Sequence, residues 1–173
     1  MDLKGKPFYL STKQEEWVYK TLSEMNDSEK IGQLFVVLGP VYRDAELKTL
    51  ISEHHIGGVL YRPMPAAELK AIWKQLDACA KIPLLKAANL EEGGYGANSE
   101  GTYFGSQMQV AATGDLKQTE RFAKVCAVEG RAAGCNWNFA PVSDIDFNFR
   151  NPITNVRTYG SDPEIVCRHV EVY

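Results

Sequence analysis

The feature that most restricts the fold is a regular alternation of short apolar runs with longer stretches of helical spacing. The runs are LFVVLG (34–39), IGGVLYRP (56–63), IPLLKAAN (82–89) and NWNFAPV (136–142). Each is close to continuously apolar rather than alternating, the pattern of strands buried on both faces of a parallel sheet. Between them, RDAELKTLISEHH (43–55) places Leu47, Leu50 and Ile51 on one helical face. PAAELKAIWKQLDACAK (65–81) repeats apolar residues at Leu69, Ile72, Trp73 and Leu76, and a further helix is predicted over 116–133. TKQEEWVYKTLSEM (12–25) is also helical, with Thr12 and Glu15 as a capping box, and Ser28 marks a second start just before the first run. Strand and helix in this order predict βα units in a parallel sheet covered by helices, an α/β fold.

The length of 173 residues suits one domain, and 45% hydrophobic with 24% charged residues is ordinary for a globular chain. A net charge of −3 with scattered Lys and Arg argues against nucleic acid or an anionic membrane as partner. No apolar run approaches the roughly 18 residues that span a bilayer. The first residues, MDLKGKPFYLSTKQEEW, lack an apolar core with a cleavage site, which predicts a cytoplasmic protein. Cys79, Cys126, Cys135 and Cys167 show no C-x-x-C spacing, and the first three, set among apolar residues, read as small buried residues in a reducing compartment. Neither a Walker A pattern nor a G-x-G-x-x-G after a strand is present, and no cofactor is expected.

In parallel βα folds the site lies just past the C-terminal strand ends. The first two ends carry only GPVYRD and YRPMP, but the third is followed by AANLEEGGYGANSEGTYFGSQ and the fourth by SDIDFNFRNPITNVRTYG. Asn89, Glu91 and Glu92 stand before Gly93-Gly94, where glycine permits positive φ and close approach of backbone to a ligand. They read equally as a solvated loop or as hydroxyl recognition. Asp144 and Asp146 are two apart and face the same way if the strand continues. Such a pair can hold sugar hydroxyls, orient Arg157, or contribute to a metal site, although a third metal ligand is missing from the segment. Asn151-Pro152 and Ser161-Asp162-Pro163 read as turns, with Asp162 capping a last helix that starts at Pro163. His54 and His55 end a helix, and His169 lies in that last helix; no nucleophilic triad is indicated.

KIGQLFVV, HIGGVLY, IPLLKAANLEEGG, AATGD and above all GCNWNFAPVSDIDFNFRNPITNVRTYGSDPE resemble the N-terminal domain of glycoside hydrolase family 3, which includes β-N-acetylhexosaminidases and β-glucosidases. The resemblance runs from about residue 28 to the end and implies a (β/α)₈-type barrel with retaining hydrolysis of β-linked sugars. A complete barrel takes about 250 residues, so residues 28–173 are expected to be its first half, about four βα units, preceded by a helical extension over 1–27. By the resemblance, Arg157 reaches the sugar and Asp144 is the scaffold of that arginine. The aligned position of the family's D-x-E-G-G aspartate holds Leu90, so either Asn89 or Glu91 takes its hydroxyl contacts or that contact is absent. The family's basic residue four after the second glycine is Asn98 here. Glu92, Asp146 and Asn151 complete the expected substrate-binding set. The Lys-His motif, the nucleophilic aspartate and the acid/base all follow later in the family, so a fragment inactive alone is expected, with no catalytic residue and no metal ligand of its own. The alternative is a carbohydrate-binding half-barrel without catalysis, completed by another chain or by self-association through its open edges.

Overall fold

The computed structural model describes residues 2–173. Its four parallel strands are β1 (Val36–Leu38), β2 (Gly58–Leu60), β3 (Leu85–Ala88) and β4 (Trp137–Asn138), paired in the order β1-β2-β3-β4. Strand order equals chain order, so every crossover steps the same way. Crossovers of one hand then place the connecting helices on one face. This is the start of a barrel rather than a doubly wound sheet, whose strand order reverses. The crossover helices are α3 (Asp44–Ser52), α4 (Ala66–Asp77) and α6 (Leu116–Ala132). Helices α1 (Thr12–Glu24) and α2 (Asp27–Gly32) precede β1, a short α5 (Gln107–Ala112) precedes α6, and α7 (Pro163–Val172) follows β4.

Register sorts the strand residues into two faces. Val36, Gly58 and Leu85 stand level, as do Leu38, Leu60, Ala87 and Trp137. The intervening Val37, Val59, Lys86, Ala88 and Asn138 turn toward the helices, because side chains alternate along a strand. There Val59 and Ala88 join Leu47, Ile51, Leu69, Trp73, Phe122 and Cys126 in one core. Full burial of each large member is worth roughly 1.5–3 kcal/mol. Lys86 reaches Asp77 of α4 at 2.5 Å. On the opposite face Leu85 is 41% and Trp137 40% exposed. On this face the expected burial is met at Ala87 but not at Leu85 or Trp137.

Helix starts depart from the expected caps by small steps. α1 begins from Ser11, whose hydroxyl accepts from the Gln14 amide, while the Gln14 side chain accepts from the Ser11 N–H at 2.9 Å. Ser-x-x-Gln outcompetes the overlapping Thr-x-x-Glu one residue on. α2 begins from Asn26 in a box with Glu29 rather than from Ser28. Leu34 and Phe35, assigned to the first strand, instead close a turn out of α2 and are exposed. α7 starts as expected, with the Asp162 carboxylate accepting from the Glu164 N–H at 2.8 Å and Pro163 in its first turn.

Candidate functional site

A cleft of about 460 Å³ opens at the C-terminal ends of the strands. Leu60 to Pro63 bring the end of β2 to it, and Asn89, Glu91 and Glu92 the end of β3. Tyr95 and Gly96 come from the 3₁₀ turn Gly94–Gly96, and Arg157 from the 3₁₀ turn Asn155–Arg157.

The Gly-rich loop is shaped by what it packs against. Gly93 has φ +117°, and a Cβ there would stand 2.3 Å from the Thr102 carbonyl. A Cβ on Gly94 would meet the Glu129 carboxylate of α6 at 1.9 Å. That carboxylate accepts from the Thr102 N–H at 2.7 Å and from its hydroxyl at 2.6 Å, tying the returning loop to α6. The Glu92 carbonyl accepts from the Phe104 N–H at 2.7 Å. The loop after β2 is fastened to the same unit. The Ser99 N–H donates to the Met64 carbonyl at 3.0 Å, and the Asn98 side-chain oxygen accepts from the Ala66 N–H at 3.2 Å. Asn98 thus holds two loops together.

Arg157 meets Glu91, from which it is 66 positions away in sequence. Its Nε donates to one carboxylate oxygen at 2.6 Å and its Nη2 to the other at 2.7 Å, a forked charge-assisted pair. The Glu91 carboxylate, ahead of the more distant Asp144, raises the pKa of the Arg157 guanidinium. The expected scaffold, Asp144, is exposed and has no hydrogen-bond partner among the described residues. The reason is that β4 stops at Asn138 and Pro141 follows without a backbone donor, so Asp144 and Asp146 never lie on a strand. Asp146 is buried, with its carboxylate accepting from the Asn148 N–H at 3.3 Å and its own N–H donating to Gly160 at 3.0 Å. Asn151 accepts from Ile153 at 2.9 Å and Thr154 at 3.3 Å. Asp146 and Asn151 are turn builders, and of the 144–157 segment only Arg157 lines the cleft.

Two groups in the cleft are uncommitted. The Asn89 side-chain oxygen is buried without a partner, and the Glu92 carboxylate has none among the described residues. Sequence reasoning missed Arg62 and Tyr95, which also line the cleft; Arg62 falls inside the run 56–63 predicted as the second strand, whereas β2 ends at Leu60. It also missed Gln107, fully buried on α5, whose amide donates to the Val142 carbonyl at 2.9 Å and accepts from the Val142 N–H at 2.8 Å. His169 lies away from the cleft, buried against Thr119 at 2.6 Å and stacked on Tyr159. Among the described residues no three His, Cys, Asp or Glu side chains gather as a metal site, and no helix is long and apolar enough to cross a membrane.

Residues 27–173 match the model of the glycosyl hydrolase family 3 N-terminal domain. The chain belongs to glycosyl hydrolase family 3. A Cellulomonas fimi protein named beta-N-acetylglucosaminidase/beta-glucosidase is 45% identical over 167 residues, which is 96% of this chain and 30% of that protein. The solved structure of the beta-glucoside phosphorylase BglX bound to 2FGlc superposes with a TM-score of 0.87 at 43% identity, covering 99% of this chain and 31% of that one. A family 3 beta-N-acetylglucosaminidase from Paenibacillus sp. str. FPU-7 has a TM-score of 0.74 at 31% identity, over 84% of this chain and 29% of its own. The chain therefore spans about 30% of the length of these relatives. Family membership agrees with the four consecutive parallel strands as part of a barrel.

Proposed function

We propose that residues 28–173 form the sugar-binding wall of a family 3 glycosidase acting on β-linked glucosides or N-acetylglucosaminides, with residues 1–27 as a helical extension. The observation that carries this reading is the Asn89 side-chain oxygen, buried and unpartnered in the same cleft as an arginine held by a two-bonded carboxylate. An unpaired buried acceptor costs about 1–3 kcal/mol, and a rotation of the amide that turns this oxygen into the cleft removes that cost once a sugar hydroxyl donates to it. Arg157 retains guanidinium N–H groups beyond the two that Glu91 takes, and these suit sugar oxygens. Glu92 accepts hydroxyl protons. Asp144 adds negative field near Arg157, while Asp146 and Asn151 support the segment that carries it.

In this reading the glycosidic C–O bond breaks, the leaving oxygen takes a proton from an acid, and a carboxylate first bonds the anomeric carbon. Retention needs a nucleophile and an acid/base flanking the bond, the nucleophile from a later strand and the acid/base from a later loop or a second domain. These segments belong to the same polypeptide or to a partner that pairs with the edges of β1 and β4. The free thiols of Cys79, Cys126, Cys135 and Cys167 support a reducing, cytoplasmic setting. The sequence similarity to BglX favours a second reading of the acceptor: an oxygen of inorganic phosphate, in place of water, bonds the anomeric carbon and yields a glycosyl phosphate.

In a polypeptide carrying the whole barrel, Arg157→Ala and Asn89→Ala are expected to raise KM for an aryl β-glycoside about tenfold and to lower kcat. Unchanged kinetics in a correctly folded variant remove that residue from the site.

A further inference from the structure

Arg62 is the uncommitted cation of the cleft. It lies two residues past the end of β2 and lines the cleft with Asn89, Glu92 and Arg157. The charge of Arg157 is met by Glu91 through two bonds, whereas Arg62 forms no hydrogen bond or ion pair with any described residue. The pairing is absent even though two carboxylates, Glu91 and Glu92, line the same cleft. Its backbone, in contrast, is near a fixed point. Two residues on, Met64 pairs with the Gly-rich loop through its N–H to Ala97 at 3.4 Å and its carbonyl from Ser99 at 3.0 Å. A guanidinium with an anchored root and a free head is disposed to meet a ligand without first breaking an internal pair.

Charge balance admits an anion. Arg62 and Arg157 offset Glu91 and Glu92, and Asn89 contributes a neutral amide with two N–H donors where a carboxylate would repel. The planar fork of a guanidinium matches two oxygens of a phosphate.

We infer that Arg62 binds a phosphate group in this cleft, delivered either as inorganic phosphate or on a phosphorylated glycoside. The inference rests on the phosphate-accepting reading above for the first of these sources and is independent of it for the second.

The test is a titration of the isotopically labelled chain followed by backbone amide and arginine Nε–H resonances. The ligands are inorganic phosphate, a 6-phosphorylated aryl β-glucoside and the unphosphorylated glucoside. Saturable shifts at Arg62 and in the 61–64 and 94–97 loops with a phosphate-bearing ligand, weakened about tenfold in Arg62→Ala and partly restored in Arg62→Lys, support the proposal. A response to inorganic phosphate identifies the free ion as the source. A response only to the phosphorylated glucoside identifies the sugar-borne group and counts against phosphate as acceptor. Phosphate shifts unchanged in Arg62→Ala, or absent with both phosphate ligands, overturn the role of Arg62. The unphosphorylated glucoside separates this from the sugar site: shifts at Asn89 and Arg157 that persist while the phosphate arms fail leave the binding wall standing.

Discussion

Glu91→Gln tests whether the Glu91–Arg157 pair positions the arginine or merely stabilises the fold. Both carboxylate oxygens are used, at 2.6 and 2.7 Å. A glutamine fills the same space but offers one acceptor oxygen and sets its NH₂ against the second guanidinium N–H. One bond is lost and one donor faces another. The stability cost is small, because the Arg157 side chain is 43% exposed even though that of Glu91 is only 14% exposed. Solvent-facing pairs contribute about 0–1 kcal/mol, so the unfolding free energy is expected to fall by under about 1 kcal/mol. The binding cost is larger. Released from its fork, Arg157 must be immobilised by the ligand, at up to about 1.5–2 kcal/mol of rotamer entropy, which is about tenfold or more in affinity. Urea unfolding of the chain, with titration or steady-state kinetics on an aryl β-glycoside, reads both quantities. A tenfold loss of affinity beside a nearly unchanged unfolding midpoint is the expected result. Affinity unchanged while stability falls by 2 kcal/mol or more refutes the positioning argument and leaves the pair a structural one.

Three further outcomes are expected. Gly93→Ala places a Cβ 2.3 Å from the Thr102 carbonyl at φ +117°, so backbone must move; a loss of about 3 kcal/mol in urea unfolding is expected, and under 1 kcal/mol contradicts the packing described. Gln107→Ala leaves both Val142 backbone groups without their partner, at about 3 kcal/mol, whereas a loss below 1 kcal/mol means water replaces the amide. Burial, helped by Arg168, lowers the pKa of His169 below its usual 6.5. The unfolded chain then binds the proton first as pH falls, so stability is full above about 6.5 and declines below it. Unfolding at pH 7.5 and 5.5 should show this slope, and His169→Phe, which keeps a ring against Tyr159, should flatten it; an equal slope in both proteins assigns it elsewhere.

Much of the scaffold was legible because its signals are local. The Leu69, Ile72, Trp73, Leu76 stripe sits in α4 as its spacing predicts, and Asp162-Pro163 starts α7 as its chemistry requires. α5 was missed because six residues beginning at Gln107, inside a Gly-rich connection, carry too few turns for a period to show. The 144–157 segment was harder to read for a physical reason. Asp and Asn serve equally to grip a ligand and to accept from backbone N–H groups two residues on, and Asp146, Asn148 and Asn151 do the latter. The partner of Arg157 was hidden because nothing in local spacing marks a residue 66 positions away. Only the adjacency of β3 and β4 brings the two loops together.

That adjacency also separates binding from chemistry in the proposed enzyme. The loops after β2, β3 and β4 supply the cleft, and they are already fastened to one another through Met64 and Ser99 and through Glu91 and Arg157, with Thr102 and Glu129 tying the middle loop to α6. None of these fastenings reaches across the sheet edge, so the wall does not depend on further strands for its shape. The face bearing Leu85 and Trp137 does depend on them, since both side chains stand about two-fifths exposed where a barrel fills its interior in layers. Added strands would therefore cover this apolar face and, in the proposed mechanism, bring the nucleophile and acid/base to a cleft that is already formed. Affinity should then reside mainly in this half and turnover in the other. Variants of Asn89, Arg157 or Glu91 should change ligand binding in the isolated chain by nearly the same factor as in the completed barrel. A tenfold discrepancy between the two would show that the added strands reshape the wall rather than meet it.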